Sequence, residues 1–138
     1  SSDVCSSDLY KTIGNRHDLE DARIGKEIVF GNTQFGVVIE NTSHRGYFSE
    51  KILDCFLLKT IPIYWGCSNI DTFFNKEGIL KFDNVDDFIY IVNNLDSNYY
   101  DSKKEIIEEN YQKALQYVDY EQNIINKITE IFKLNNIV

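Results

Sequence analysis

Gln34-Phe35-Gly36-Val37-Val38-Ile39-Glu40 and Thr60-Ile61-Pro62-Ile63-Tyr64-Trp65 are the two stretches whose reading decides the fold. Each is short, rich in β-branched residues and apolar with little alternation. That is the signature of a strand buried on both faces, as in a parallel sheet. Pro62 lacks an N–H, so it belongs near the start of its strand. Between the two strands, Ser49 is placed to cap a helix running to about Leu58, its hydroxyl accepting an orphan N–H. Ile52, Leu53, Phe56 and Leu57 then fall on one stripe at helical spacing. Strand, helix and strand in succession make a βαβ unit.

Outward from this unit the pattern continues. Gly66–Asn69 reads as a turn, Ile70–Asn75 as a short helix and Leu80–Phe82 as a third short strand. Asn84 caps a helix to Leu95, with Val85, Phe88, Ile89, Val92 and Leu95 on one face. Two amphipathic helices follow, Asp101 to about Val118 and Tyr120–Leu134, the second carrying Ile124, Ile125, Ile128 and Ile131. That Ile-rich face is odd for a lone surface element and suits packing on a further domain. On the N-terminal side, Tyr10–Lys26 is polar and reads as loop with a short helix around Asp18–Ile24. The fold class is α/β, a parallel sheet with flanking helices.

The chain has 138 residues, with 14 basic and 22 acidic side chains and a net charge of −8. That length suits one domain. Hydrophobic residues make up 43% and aromatics 14%, enough for a core and too many for a disordered chain. No apolar run approaches the ~20 residues of a membrane-spanning helix. The acidic balance argues against nucleic acid as a partner. The charge is uneven: residues 83–138 carry 11 acidic and 5 basic side chains, which read as solvated helix faces. Arg45, Lys51 and Lys59 instead gather around the loop and helix of the βαβ unit.

Cys5, Cys55 and Cys67, with His17 and His44, show no metal-ligand spacing, so no metal site is expected. The odd cysteine count suits thiols in a reducing compartment and leaves a Cys55–Cys67 disulfide as the alternative. The first nine residues, Ser1-Ser2-Asp3-Val4-Cys5-Ser6-Ser7-Asp8-Leu9, repeat Ser-Ser-Asp and have no basic or apolar region of a signal peptide. They look like the in-frame translation of a sequencing adapter, or else a disordered polar tail. Residues 10–138 are then the natural part, its true start lying upstream. With neither signal peptide nor span, the expected location is the cytoplasm or the cytoplasmic face of a membrane. The richness in Asn, Ile and Lys suits an AT-rich bacterial or viral genome.

In open α/β sheets, ligands bind beyond the carboxyl ends of the strands. The loop after Glu40 and the turn at Gly66 both lie there. The start of the helix at Ser49–Ile52 presents unpaired N–H groups and the positive end of the helix dipole, which attract an anion. Lys51 adds an ammonium suited to phosphate oxygens. Glu50 would repel a phosphate but suits a hydroxyl pair such as a ribose diol, and Tyr47 supplies an aromatic ring. Together they suggest a nucleotide. The bland alternative stays open: an acidic first turn favours any helix dipole, and Glu-Lys pairs are common on surfaces. No G-x-G-x-x-G or Walker pattern is present.

The stretch Val38-Ile39-Glu40-Asn41-Thr42, then Gly46-Tyr47-Phe48-Ser49-Glu50-Lys51-Ile52, then Thr60-Ile61-Pro62-Ile63-Tyr64-Trp65-Gly66 resembles the fucosyltransferases of glycosyltransferase family 10. The family hallmark is Glu-Asn, a variable loop, Tyr-x-Thr/Ser-Glu-Lys, a helix, then Pro, three apolar residues and Gly. Leu95-Asp96-Ser97-Asn98 and the tyrosines after it resemble a later segment of the family. The similarity covers about residues 34–100.

The resemblance implies a GT-B architecture, two Rossmann-like domains with the active site between them. This chain would be most of the C-terminal, donor-binding half, without the N-terminal acceptor domain. Family members transfer fucose from GDP-fucose to a glycan hydroxyl with inversion, and no further cofactor is implied. Carried over, Asn41, Tyr47, Ser49, Glu50, Lys51 and Gly66 form the donor site, Glu50 at the ribose hydroxyls and Lys51 at the diphosphate. The general base would come from the N-terminal domain, so the isolated chain is expected to be inactive. The family's phosphate-binding arginine has no match: Arg16 and Arg23 lack its surroundings, and Arg45 lies in the variable loop. Cys67-Ser68 stands where relatives often carry a proline. Two rival readings remain, the same fold with another nucleotide-sugar donor and a non-catalytic Rossmann-like binding module.

Overall fold

Parallel strands form the centre of the computed structural model, which describes residues 4–5 and 33–137. In chain order they are β1 (Val4–Cys5), β2 (Phe35–Ile39), β3 (Ile61–Trp65) and β4 (Leu80–Lys81), and they lie side by side in that order. β2 and β3 pair along their whole length, from Phe35 opposite Ile61 to Ile39 opposite Trp65. β4 pairs only with Ile63 and Tyr64. β1 is a two-residue pairing with Phe35 and Gly36 inside the segment read as an adapter-like tail. Two backbone positions can pair in this way in almost any sequence, so the pairing does not bear on the origin of that segment. The helix expected around Asp18–Ile24 lies outside the described residues.

Pro62 sits second in β3. Ile61 donates its N–H to Gln34 on the β2 side (2.9 Å). Alternation then turns the missing donor of Pro62 toward β4, which does not reach that far.

Both faces of the sheet are covered, as the continuous apolar runs require. On one face, Val38 and Tyr64 meet Ile52, Leu53, Cys55 and Phe56 of α1 (Glu50–Leu57). On the other, Phe35, Ile61 and Ile63 meet Phe88, Ile91, Val92 and Leu95, on and just after α2 (Val85–Asn93). Cys55 and Cys67 are both buried in the first core and no disulfide joins them.

Four expectations are corrected. First, the packed face of α2 is Phe88, Ile91, Val92 and Leu95, while Val85 and Ile89 are exposed. Spacing of three, one and three residues gives the tighter stripe. Second, the short helix expected over Ile70–Asn75 is only a single tight helical turn, Ile70–Thr72, and a separate one follows at Lys76–Gly78. Asn75 separates them because its N–H and carbonyl are both taken by the buried Asn110 side chain, at 2.8 and 3.0 Å. Third, a short helix α3 (Ser97–Ser102) precedes the C-terminal region, capped by Asp96, whose carboxylate accepts from Tyr99 N–H at 2.8 Å.

Fourth, α4 (Lys104–Leu134) is one helix, not two. No Gly or Pro interrupts it, and Val118–Tyr120 carries no breaker. Its first half packs through Ile107, Asn110 and Ala114. Its second half exposes Ile124, Ile125, Ile128 and Ile131. No helix among the described residues is long and apolar enough to cross a membrane.

Candidate functional site

The site forms where β2 and β3 end. Glu40 continues the sheet for one residue, its N–H bonding to Trp65 carbonyl at 3.0 Å. Side chains alternate along a strand, so Glu40 falls on the same face as Val38, against α1. It is only 2% exposed. Its two carboxylate oxygens accept from one residue: Ser49 N–H at 3.0 Å and Ser49 Oγ–H at 2.6 Å.

Ser49 is the expected cap of α1. Its backbone is extended, and its Oγ accepts from Lys51 N–H at 3.3 Å. Phe48, one residue earlier, packs its ring against Phe73, Phe74 and Tyr117 at centroid distances of 5.1–5.5 Å. Hydroxyl, carboxylate and ring together set how the chain enters the helix.

Lys51 folds back from the first turn of α1 onto the end of β2. Its Nζ donates to Ile39 carbonyl at 3.2 Å and to Asn41 Oδ1 at 3.1 Å. Both acceptors are neutral, and two of the three ammonium protons are used. Asn41, Glu50 and Tyr47 are exposed at the same rim, Tyr47 to 40%. Among the described residues, the Tyr47 and Glu50 side chains make no hydrogen bond. The structure thus brings Asn41, Ser49 and Lys51 into direct contact and leaves Tyr47 and Glu50 facing solvent beside them.

Gly66 has a structural reason to be glycine. A Cβ there would overlap the Glu40 side chain and lie 2.8 Å from the Tyr64 hydroxyl. Its carbonyl accepts from Ser43 Oγ at 2.8 Å. Asn69 Oδ1 accepts from Gly46 N–H at 2.6 Å and from Cys67 Sγ at 3.3 Å. Gly46 itself has φ of 76°, a conformation that favours glycine. These bonds tie the loop after β2 to the turn after β3. Below them, the buried Tyr64 hydroxyl accepts from Cys67 N–H at 3.0 Å. Burial pushes that hydroxyl well above the ordinary tyrosine range, and the nearby Glu40 charge adds to the shift.

Ser43, Asn69 and the interior role of Glu40 are what sequence reasoning missed. Ser43 and Asn69 look like any polar loop residues. Glu40 did carry a signal, a carboxylate closing a fully apolar strand. Trp65 is half-buried at the end of β3, and His44 and Arg45 are exposed.

A different arrangement occupies the far end of α1. Lys59, just past the helix, has φ of 54° and pairs with Glu108 at 2.8 Å. Its ammonium lies 4.8 Å from the Tyr111 ring centroid, and its carbonyl accepts from Tyr100 hydroxyl at 2.7 Å. The hydrogen bond and charge of Glu108 raise the Lys59 pKa, and Lys59 in turn lowers that of Glu108. Among the described residues, no three His, Cys, Asp or Glu side chains cluster as a metal site.

The rim can therefore seat an anion between Lys51 and the α1 amides, offer the Glu50 carboxylate to hydroxyls and offer the Tyr47 ring to a planar group. No family model matches the chain. It is similar to alpha-(1,3)-fucosyltransferase FucT of Helicobacter pylori, with 31% identity over 108 residues, 72% of this chain and 22% of that protein. It is also similar to the protein R654 of Acanthamoeba polyphaga mimivirus, assigned in name to the fucosyltransferases, with 32% identity over 73 residues, 51% of this chain and 12% of that protein. Among solved structures it is similar to an alpha1,3-fucosyltransferase crystallised with GDP. The TM-score is 0.50 at 27% identity, covering 68% of this chain and 33% of that one. The chain spans 22% and 12% of the two curated relatives' lengths. The resemblance carried by the Glu-Asn, Tyr-x-Ser-Glu-Lys and Pro-to-Gly motifs is borne out in both sequence and fold.

Proposed function

We propose that this chain, a relative of the fucosyltransferases in sequence and in fold, is the donor-binding part of an enzyme that transfers fucose from GDP-fucose to a glycan hydroxyl. The observation that carries this reading is Lys51: a cation in the first turn of a helix, at the carboxyl ends of parallel strands, held by two neutral oxygens. Among the described residues no carboxylate bonds to this ammonium, so an incoming anion would supply the missing charge. GDP in the solved relative supplies the natural candidate.

In this reading the diphosphate lies against Lys51 and the α1 amides, Glu50 accepts from the ribose hydroxyls, and Tyr47 lines the nucleoside. Asn41 acts through Lys51 by holding its ammonium. As the bond from fucose C1 to the diphosphate oxygen breaks, its electron pair stays on that oxygen. Lys51 and the helix start stabilise the growing charge without having to reorganise. The acceptor oxygen bonds to C1 from the opposite face of the sugar, giving inversion. Its proton passes to a general base, which we assign to a part of the protein outside this chain.

Binding tests the reading directly. GDP should raise the melting temperature of the chain, and Glu50→Ala should weaken that effect. A folded chain indifferent to GDP would overturn the nucleotide site. Greater stabilisation by UDP or CMP would move the donor to another nucleotide sugar.

A further inference from the structure

Glu40 is a buried carboxylate that the proposed chemistry does not use. Removing a carboxylate from water is costly unless it is well hydrogen-bonded. Among the described residues it is paired with no cation. Each of its oxygens accepts from Ser49, and the Tyr64 hydroxyl lies beside it. The Ser49 hydroxyl has a single proton, and Glu40 takes it. Ser49 Oγ is thereby left only as an acceptor, which it offers to Lys51 N–H. The residue beside Glu40, Ile39, holds the Lys51 ammonium through its carbonyl. Two consecutive residues of one strand thus fasten the backbone and the side chain of the same lysine.

Gly66 completes the arrangement. Any side chain there would displace Glu40, since its Cβ would fall on the Glu40 methylenes. Resting on the nucleotide reading above, we propose that Glu40 is a positioning residue for the diphosphate grip, and that Gly66 is glycine to make room for Glu40 rather than to approach the ligand. Glutamine in place of Glu40 keeps the size but cannot accept from both Ser49 donors. Its amide nitrogen would face the Ser49 hydroxyl and meet it only as a donor, so the charge-assisted bond is lost and the start of α1 shifts relative to β2.

The test compares a ligand that has the diphosphate with one that lacks it. The dissociation constants of GDP and guanosine are measured by nuclear magnetic resonance titration on the 138-residue chain. Glu40→Gln should weaken GDP about tenfold, by analogy with the loss of one charge-assisted hydrogen bond, and guanosine less than about twofold. Equal weakening of both ligands, or of neither, in a variant that still melts cooperatively would overturn the role of Glu40 and leave the nucleotide site standing. Should Glu40→Gln fail to fold, Ser49→Ala supplies the same comparison. It removes the hydroxyl link to Glu40 together with the cap bond to Lys51 N–H and should weaken GDP selectively by several-fold, and an unchanged GDP-to-guanosine ratio there would also overturn the proposal. A native chain that binds no GDP overturns the site itself, and the role of Glu40 with it.

Discussion

Lys51 and Lys59 flank the same eight-residue helix and are treated in opposite ways. Lys59 lies at the C-terminal end, where a cation is favoured by the helix dipole. It also has a carboxylate partner, an aromatic ring beneath it and a tyrosine on its own carbonyl. Lys51 lies in the first turn, where the dipole disfavours a cation, and its partners are neutral. One end of α1 is arranged for stability. The other holds a positive charge in a place that folding alone would not choose. In the proposed reading, the difference marks which lysine awaits a ligand.

The contrast can be broken most sharply by removing each charge. Lys51→Met should lower GDP affinity roughly 10- to 100-fold, the worth of one or two charge-assisted hydrogen bonds. Lys59→Met should leave the affinity within about twofold, an exposed charge at that distance being screened by salt. Calorimetric titration of the two variants side by side decides this, and equal losses would dissolve the distinction.

A subtler change turns one end into the other. Asn41→Asp puts a carboxylate on the Lys51 ammonium, as Glu108 is on Lys59. GDP affinity should then fall about tenfold although the lysine is untouched, because the incoming diphosphate must compete with a local anion. Tighter binding by Asn41→Asp would show that Lys51 is not the phosphate contact.

Stability should respond in the reverse order. Lys59→Met should lower the melting temperature, while Lys51→Met should hold or raise it, since it relieves a cation at a helix start. Thermal unfolding without ligand checks the signs.

The smallest effect is in pH. The Glu108 carboxyl is held below its ordinary value by Lys59, with help from Gln112. A lowered carboxyl pKa contributes stability above the ordinary value, near 4.5, and that stability is lost as pH falls through the lower, folded value. The loss should be slight because the pair is exposed, and Glu108→Gln should abolish it. A Lys51→Met variant should keep this acid dependence unchanged. Acid titration of the melting temperature in low salt is the measurement.

Much of this was legible along the chain. The buried strands showed in QFGVVIE and TIPIYW because a strand covered on both faces has no polar positions to spare. The α1 cap showed because Ser49 acts on a residue two positions away. Lys51 and Asn41 stood out as candidate site residues through their motif, though nothing in the motif says that one holds the other. α2 was misread because Val85 and Ile89 are as apolar as their neighbours, and only the packing partner selects the stripe. The C-terminal helix was divided in two because a polar stretch resembles a break, whereas polar residues without Gly or Pro are compatible with a continuous helix.

The sequence by itself determined the βαβ order, the cap and the residue types gathered at the rim, because periodicity and capping act over a few residues. Only the tertiary structure decided what those residues do to one another. Glu40 meets Ser49 nine positions on, Gly46 meets Asn69 after 23, and Asn75 meets Asn110 after 35. These bonds exist because parallel strands bring every carboxyl end to one side of the sheet and α4 folds back across it. Separation in the chain carries no information about such contacts until the sheet has formed.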